Sequence, residues 1–373
     1  MNTEDCAFKK EGDNKAEEKQ TARPDMPDDV LDGRLGQLCA TRLRHFPRAY
    51  SFGAVVTTIG ALVPRIDNPP IRPNLFWCAV GDKGSGKSQS LDTTFRLVEM
   101  QPPTLLEAKF GSAEGMAEQL KDTGSDSVRL LSVDELGHML AKCAIQSSSF
   151  PYVLNSAFYK DEQIGGSKKQ QFSVNCRISL VGGLVEELFG DAFGLATTGG
   201  LYDRFLFGLC PSPYQYLYRP FEGPTVKLSP AVPRIASNVW DERDQWVKEG
   251  IPARIAELAL RVAYICAATD RREVVQASDL KPAMAFAQYQ VRVRSVLAPN
   301  VGENPDAKCA IKIRSWLLEN ARGGAWVRRH DLDRGINSYR LGPGVFNRCL
   351  NNLWFNGEIE LDGKAKAVRL ITQ

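Results

Sequence analysis

The sequence predicts an α/β protein: a parallel sheet sandwiched by helices, followed by a helical lid and a C-terminal domain of three helices and two short strands. Three observations predict it. The stretch "NLFWCAVGDKGSGKSQSLDTTFRLVEM" reads as a buried strand, a glycine turn and an amphipathic helix. A second apolar run at 128–133 ends in two acids, the pattern of a buried strand running to a polar edge. From about residue 239 the apolar positions recur only at helical spacing, as in "ARIAELALRVAYICAAT", until a hairpin signal near the end.

Composition sets the frame. At 373 residues, with 43% apolar and 9% aromatic content, the chain can bury the cores of two or three domains, which excludes disorder throughout. The longest apolar run, "FGAVVTTIGALV", is too short and too rich in small and hydroxyl residues for a bilayer span of about 20 residues. The first residues, "MNTEDCAFKKEGDNKAEEKQ", lack the basic start and apolar stretch of a secretory signal, so a cytoplasmic protein is expected. Nine scattered cysteines without any C-x-x-C pair read as reduced core thiols. Net charge is only +3, but from residue 307 on there are twelve Lys and Arg against six Asp and Glu, a local surplus suited to a polyanion.

In order, residues 1–27 read as a disordered tail of mixed charge. Residues 28–66 form a helical segment, with Val30, Leu31, Leu35, Leu38, Cys39 and Leu43 at helical spacing and a second helix over 52–63. The proline cluster "DNPPIRP" ends it. Residues 67–225 are the sheet domain, 226–300 the lid and 301–373 the C-terminal domain.

The glycine turn matches G-x-x-x-x-G-K-[ST] through Gly81, Gly86, Lys87 and Ser88, with Gly84 and Ser85 inside it. Glycines let backbone N–H groups close around phosphate oxygens at a helix N-terminus, Lys87 meets the β- and γ-phosphates, and the Ser88 hydroxyl ligates Mg²⁺. The acids Asp134 and Glu135 follow Lys87 by about 47 residues at the end of the second strand. Ligands sit beyond the carboxyl ends of parallel strands, so Asp134 is expected beside Ser88 as a second metal ligand, with Glu135 polarising the attacking water. ATP and Mg²⁺ are therefore the expected ligands.

Further candidates each carry a plainer alternative. "DEQIGGSKKQQFSVNCRISLVGG" reads as a hairpin and strand, whose Lys168 and Lys169 either touch phosphates or are merely solvated. Arg204, in "GGLYDRFLFGL", either pairs with Asp203 or reaches a neighbouring subunit's γ-phosphate. Arg254 either makes a surface ion pair with Glu257 or folds back over bound nucleotide. The C-terminal pattern is that of a winged helix, either a DNA reader or a protein-binding module. In the first case Asn347, Arg348, Asn351 and Asn352 face a groove, Leu350, Leu353 and Trp354 pack inward, and Lys364 and Lys366 sit on the wing.

These motifs together resemble the AAA+ core of the minichromosome-maintenance helicases and the related replication ATPases of phages and mobile elements, over residues 74–269. Besides the P-loop and "VDE", "FGSAEGMAEQL" is similar to the stretch that family carries between its nucleotide motifs. "YDRFLF" is similar to its arginine finger and "PARIAELALRVAYICA" to its lid helix. The resemblance implies a homo-oligomeric ring, a hexamer, with Arg204 acting in trans, Arg254 as second sensor, single-stranded DNA gripped by Lys168 and Lys169, and replication partners from the same element. Two departures stand out. The family's first-sensor asparagine is replaced by "GGLV", so the γ-phosphate is sensed otherwise or poorly. The family's long helical insert and N-terminal collar are absent, which sets ATP hydrolysis on firmer ground than strand translocation. An ATP-gated DNA-binding adaptor or loader without unwinding activity is the alternative.

Overall fold

The structure is a computed structural model. It describes residues 23–371 apart from 68–69, 103, 109, 111, 122–126, 144–149, 168–169, 197–199, 212–213, 215, 220–222, 298–304, 322–323, 342–343, 356–357 and 364–365.

Two helices open the described chain, α1 (Gly33–Arg42) and α2 (Arg48–Leu62). Nearly every side chain of α2 is buried, the condition of a helix apolar on all faces and enclosed by the core. Close approach is built in at Gly53, where a Cβ would lie 2.0 Å from the Trp77 indole. The sheet domain continues with β1 (Phe76–Gly81), α3 (Lys87–Leu97), β2 (Leu105–Glu107), α4 (Ala113–Lys121), β3 (Ser127–Glu135), α5 (Leu136–Cys143) and α6 (Phe150–Tyr159). It closes with β4 (Glu162–Ser167), β5 (Gln170–Val185), α7 (Phe189–Ala196) and β6 (Phe205–Leu209).

Five strands run parallel in the order β2-β3-β5-β1-β6, flanked by helices. After β1 the chain leaves for the far edge, returns through β3 and β5, and crosses to β6 on the other side. The carboxyl end of β1 is thus the crevice where a doubly wound sheet takes its ligands. The first part of β5 pairs antiparallel with β4, Ser167 opposite Gln170, and the remainder pairs parallel with β3 and β1.

The helical segment that follows the sheet is α8 (Ser237–Lys248), α9 (Ala253–Thr269) and α10 (Leu280–Val296). It is tied to the sheet by hydrogen bonds as well as by apolar packing. Gln290 accepts from the Phe207 N–H at 2.9 Å and donates to its carbonyl at 2.8 Å, and the Leu209 N–H donates to the Tyr289 hydroxyl at 3.1 Å. Side chains of α10 thereby satisfy the backbone of edge strand β6, which would otherwise be open to pairing.

The C-terminal domain has its own core, in which Cys309, Ile313, Leu332, Leu350, Leu353 and Val368 are buried. It comprises α11 (Pro305–Asn320), β7 (Val327–Arg328), α12 (Arg329–Gly335), α13 (Val345–Phe355), β8 (Ile359–Leu361) and β9 (Ala367–Leu370). The two strands expected at the end pair antiparallel, and β7 joins them on the far side of β9.

Two expectations are corrected. Composition assigns residues 23–27 to a disordered tail, but Met26 is buried and Arg23 is bonded to the sheet domain; the rest of that tail lies outside the described residues. Trp354, expected to pack inward, is 55% exposed, because it stands about 100° around the helix from the inward Leu353. Among the described residues, none of the eight cysteines is in a disulfide, and seven of them are buried. Among the described residues no helix is long and apolar enough to cross a membrane.

Candidate nucleotide site

Strand β1 is apolar and buried along its length, and it delivers the glycine loop to the crevice. Gly84 and Gly86 adopt φ values of 76° and 81°, the left-handed region that favours glycine, and α3 starts at Lys87. The Lys87 ammonium turns back into the loop, donating to the carbonyls of Gly81 at 2.8 Å and Asp82 at 2.7 Å. Burial draws its pKa below the usual lysine value.

The Ser88 hydroxyl donates to Asp134 Oδ1 at 3.0 Å, joining the start of α3 to the end of β3. Both side chains are exposed to the crevice. The register of β3 against β5 shifts between Val133 and Glu135, an irregularity that falls on Asp134. Two hard oxygens in hydrogen-bond contact beyond parallel strand ends fit a Mg²⁺ ion. Glu135 stands next to them, and its carboxylate is held by His138 Nδ1 at 2.9 Å.

Four residues of this crevice carried no signal in the sequence pattern. Tyr50 of α2, fully buried, donates its hydroxyl to the Val80 carbonyl at 2.9 Å and lies 3.2 Å from Ser85 Oγ, bracing the loop from below. Asp92, one turn along α3 from Ser88, has its carboxyl lifted above the usual range by burial, an effect that the charge of Asp134 reinforces. Tyr216 lies against Gly86, where a Cβ would be 2.9 Å from its ring, and stacks on Phe46 at 5.3 Å. Arg23 donates to Glu186 Oε2 at 2.9 Å and to the Cys210 carbonyl at 3.2 Å. Tyr50, Tyr216 and Arg23 come from segments remote in sequence from the loop, so no motif could have announced them, whereas Asp92 shares α3 with Ser88 but lies outside the glycine-loop pattern.

Arg204 immediately precedes β6, whose Phe205 is opposite Phe76 and whose Leu209 is opposite Val80. It therefore stands at the amino end of the sheet, about 16 Å from the loop of its own chain at the rise of an extended strand. It donates to the Gly200 carbonyl and lies over the Tyr159 ring, while Asp203, its expected partner, is 3.8 Å from Arg294.

Arg254 is not where the reading of a residue folded over its own nucleotide requires it. Its guanidinium lies over the same Tyr159 ring and pairs with Glu257, which also accepts from the buried Arg261 at 2.7 Å. The reason is the direction of α9. Arg261 donates to the Asn74 carbonyl just ahead of β1, which fixes this part of the helix at the amino ends of the strands. Burial lowers the Arg204 pKa, and repulsion from Arg254 adds to the effect.

In the C-terminal domain Asn347, Arg348, Asn351 and Asn352 share the exposed face of α13, and Lys366 is exposed beside β9. Asn347 accepts a hydrogen bond from Arg329. Lys168, Lys169 and Lys364 lie outside the described residues.

Compared with known proteins, the sequence matches no protein-family model and no curated protein.

Proposed function

We propose that this chain is an ATP-hydrolysing, DNA-dependent AAA+ ATPase that assembles as a ring, with a winged-helix domain at its C-terminus. In this reading it is a cytoplasmic replication helicase or initiator of a mobile element or phage. The observation that carries the proposal is the contact of Ser88 with Asp134 at 3.0 Å beside the Lys87 ammonium. Lysine, hydroxyl and carboxylate meet beyond the carboxyl ends of parallel strands, the set that phosphoryl transfer from a nucleoside triphosphate requires.

The chemistry follows from the positions of the side chains. Lys87, released from its loop carbonyls, neutralises the β- and γ-phosphate oxygens. Ser88 and Asp134 would hold Mg²⁺, which when bound offsets charge on the same oxygens. Glu135, on letting go of His138, accepts a proton from the attacking water. As the water oxygen bonds to the γ-phosphorus, the bond to the bridging oxygen breaks and ADP leaves with the electron pair. Arg204 and Arg254, too far from their own loop, serve the site of a neighbouring copy, which supports a ring over a monomer.

ATP turnover and strand separation on forked DNA test the reading. Wild type is expected to hydrolyse ATP faster with DNA and to displace a strand, with Lys87→Ala inactive in both. Absence of nucleotide binding by the wild type would end the proposal. A second reading, an ATP-gated adaptor with slow turnover, is favoured by the Glu135–His138 contact, which occupies the water-activating carboxylate. Hydrolysis without displacement would select it.

A further inference from the structure

The resemblance leaves one role unfilled, because the strand that should end in a γ-phosphate-sensing asparagine ends instead in "GGLV" followed by Glu186. The end of that strand is nonetheless occupied by a cation. Arg23, from the segment ahead of α1, crosses the carboxyl ends of the strands on either side of β1. It bonds Glu186, which follows β5, at 2.9 Å, and the carbonyl of Cys210, which follows β6, at 3.2 Å. Val185 is the register partner of Gly81, and the Cys210 N–H bonds the Val80 carbonyl at 2.9 Å. The guanidinium is thus held over the point where the phosphate loop leaves β1, on the order of one to two strand spacings, about 5–10 Å, from the Lys87 ammonium.

Electrostatics tie the same groups together. The charge of Glu186 acts on Lys87, and the charges of Arg23, Asp82 and Lys87 all act on the Cys210 thiol. Two cations and two carboxylates therefore share the mouth of the loop. Arg23 and Glu186 are both largely shielded, with side-chain exposures of 28% and 22%, so their pairing is less screened than one on the open surface.

We propose that Arg23 is the γ-phosphate-sensing residue of this chain and that Glu186 is its resting counter-ion. The inference rests on the reading of the loop as a nucleoside-triphosphate site. A terminal phosphate brings two negative charges and fork-shaped acceptor geometry to the loop mouth, which a guanidinium binds better than one carboxylate does. Arg23 exchanges Glu186 for that phosphate when the triphosphate binds and returns when only the diphosphate remains. Because Met26, close behind Arg23 in the chain, is buried and donates its N–H to Asp25, the exchange is transmitted to the segment leading into α1.

The test is equilibrium binding of a non-hydrolysable ATP analogue and of ADP, each with Mg²⁺, to wild type, Arg23→Ala, Arg23→Lys and Glu186→Gln. Wild type prefers the triphosphate. Arg23→Ala lowers affinity for the triphosphate about tenfold or more, the weight of a hydrogen bond to a charged group, and changes ADP affinity less than about twofold. Arg23→Lys recovers part of the preference, and Glu186→Gln strengthens triphosphate binding by removing the competitor. If Arg23 only anchored the terminus, Arg23→Ala would lower thermal stability and leave the triphosphate-to-diphosphate ratio intact; that result, or equal loss of both ligands, overturns the proposal. Weakened triphosphate binding in Glu186→Gln overturns the counter-ion role. Binding of neither ligand by wild type brings down the nucleotide reading itself, and this proposal with it.

Discussion

Arg204 and Arg254 share one aromatic ring: each guanidinium carbon lies 5.1 Å from the centroid of Tyr159. The ring face takes both like charges, and Glu257 pairs with Arg254, at the end of the sheet opposite the glycine loop. In the proposed ring, a pair so placed meets the phosphate held by another copy of the chain.

Complementation follows from that placement. Arg204→Ala is expected to bind ATP like wild type and to lose turnover by about three orders of magnitude or more, the weight of a cation supplied in trans. Lys87→Ala is inactive for want of binding. Mixed together, the two variants form sites with an intact loop from one copy and an intact Arg204 from the other. ATPase activity of the mixture above that of either variant alone checks the idea; no recovery in a mixture shown to co-assemble would sink it.

Lys87 gives a pH dependence. Burial lowers its pKa from the ordinary 10.5, so the ammonium is lost earlier as pH rises, and nucleotide affinity declines at a pH where an ordinary lysine is still charged. For stability the sign is opposite. The unfolded chain holds this proton more tightly than the folded one, so the nucleotide-free protein gains stability as pH rises between the folded pKa and 10.5. Lys87→Met removes that gain and also abolishes stabilisation by ATP, about 2.7 kcal/mol at a hundredfold excess over Kd in wild type. Thermal unfolding with and without ATP across alkaline pH measures both.

Beneath the loop, Tyr50 is a buried strut. Tyr50→Phe keeps the ring and removes the hydroxyl from the Val80 carbonyl and Ser85, and is expected to cost about 1–2 kcal/mol while weakening nucleotide binding several-fold. Gly53→Ala, one turn further along α2, drives a methyl into the Trp77 indole and is expected to cost about 3 kcal/mol. Denaturant titration ranks the two, and Gly53→Ala should be the worse folded.

On α13, Arg348 and Asn351 are exposed on the face turned from the domain core. Arg348→Ala is expected to weaken duplex DNA binding about tenfold and to reduce the slope of log affinity against log salt by about one. An unchanged affinity and slope would turn this domain toward a protein partner.

Much of the site was legible because its signals are local. The loop glycines, Lys87 and Ser88 lie within one short window, and the apolar runs around them mark the strand and helix that frame it. Asp134 could be placed beside Ser88 because a buried strand with acids at its end delivers them to the carboxyl edge. The inward positions of α13 followed from period, except at Trp354, where a large apolar residue lies just off the buried stripe. Bulk suggests burial, but angle around the helix decides it.

By itself, then, the sequence determined where the glycine loop begins, which strand carries its acidic partner and that helices follow the sheet, because periodicity and backbone chemistry act over a few residues. Only the tertiary structure decided that Arg254 stands with Arg204 on Tyr159, that Tyr50 braces the loop, and that Arg23 bridges Glu186 and Cys210. Those contacts join segments from 30 to 187 positions apart, and they arise from how strand order and helix packing close the core, which no local pattern of residues records.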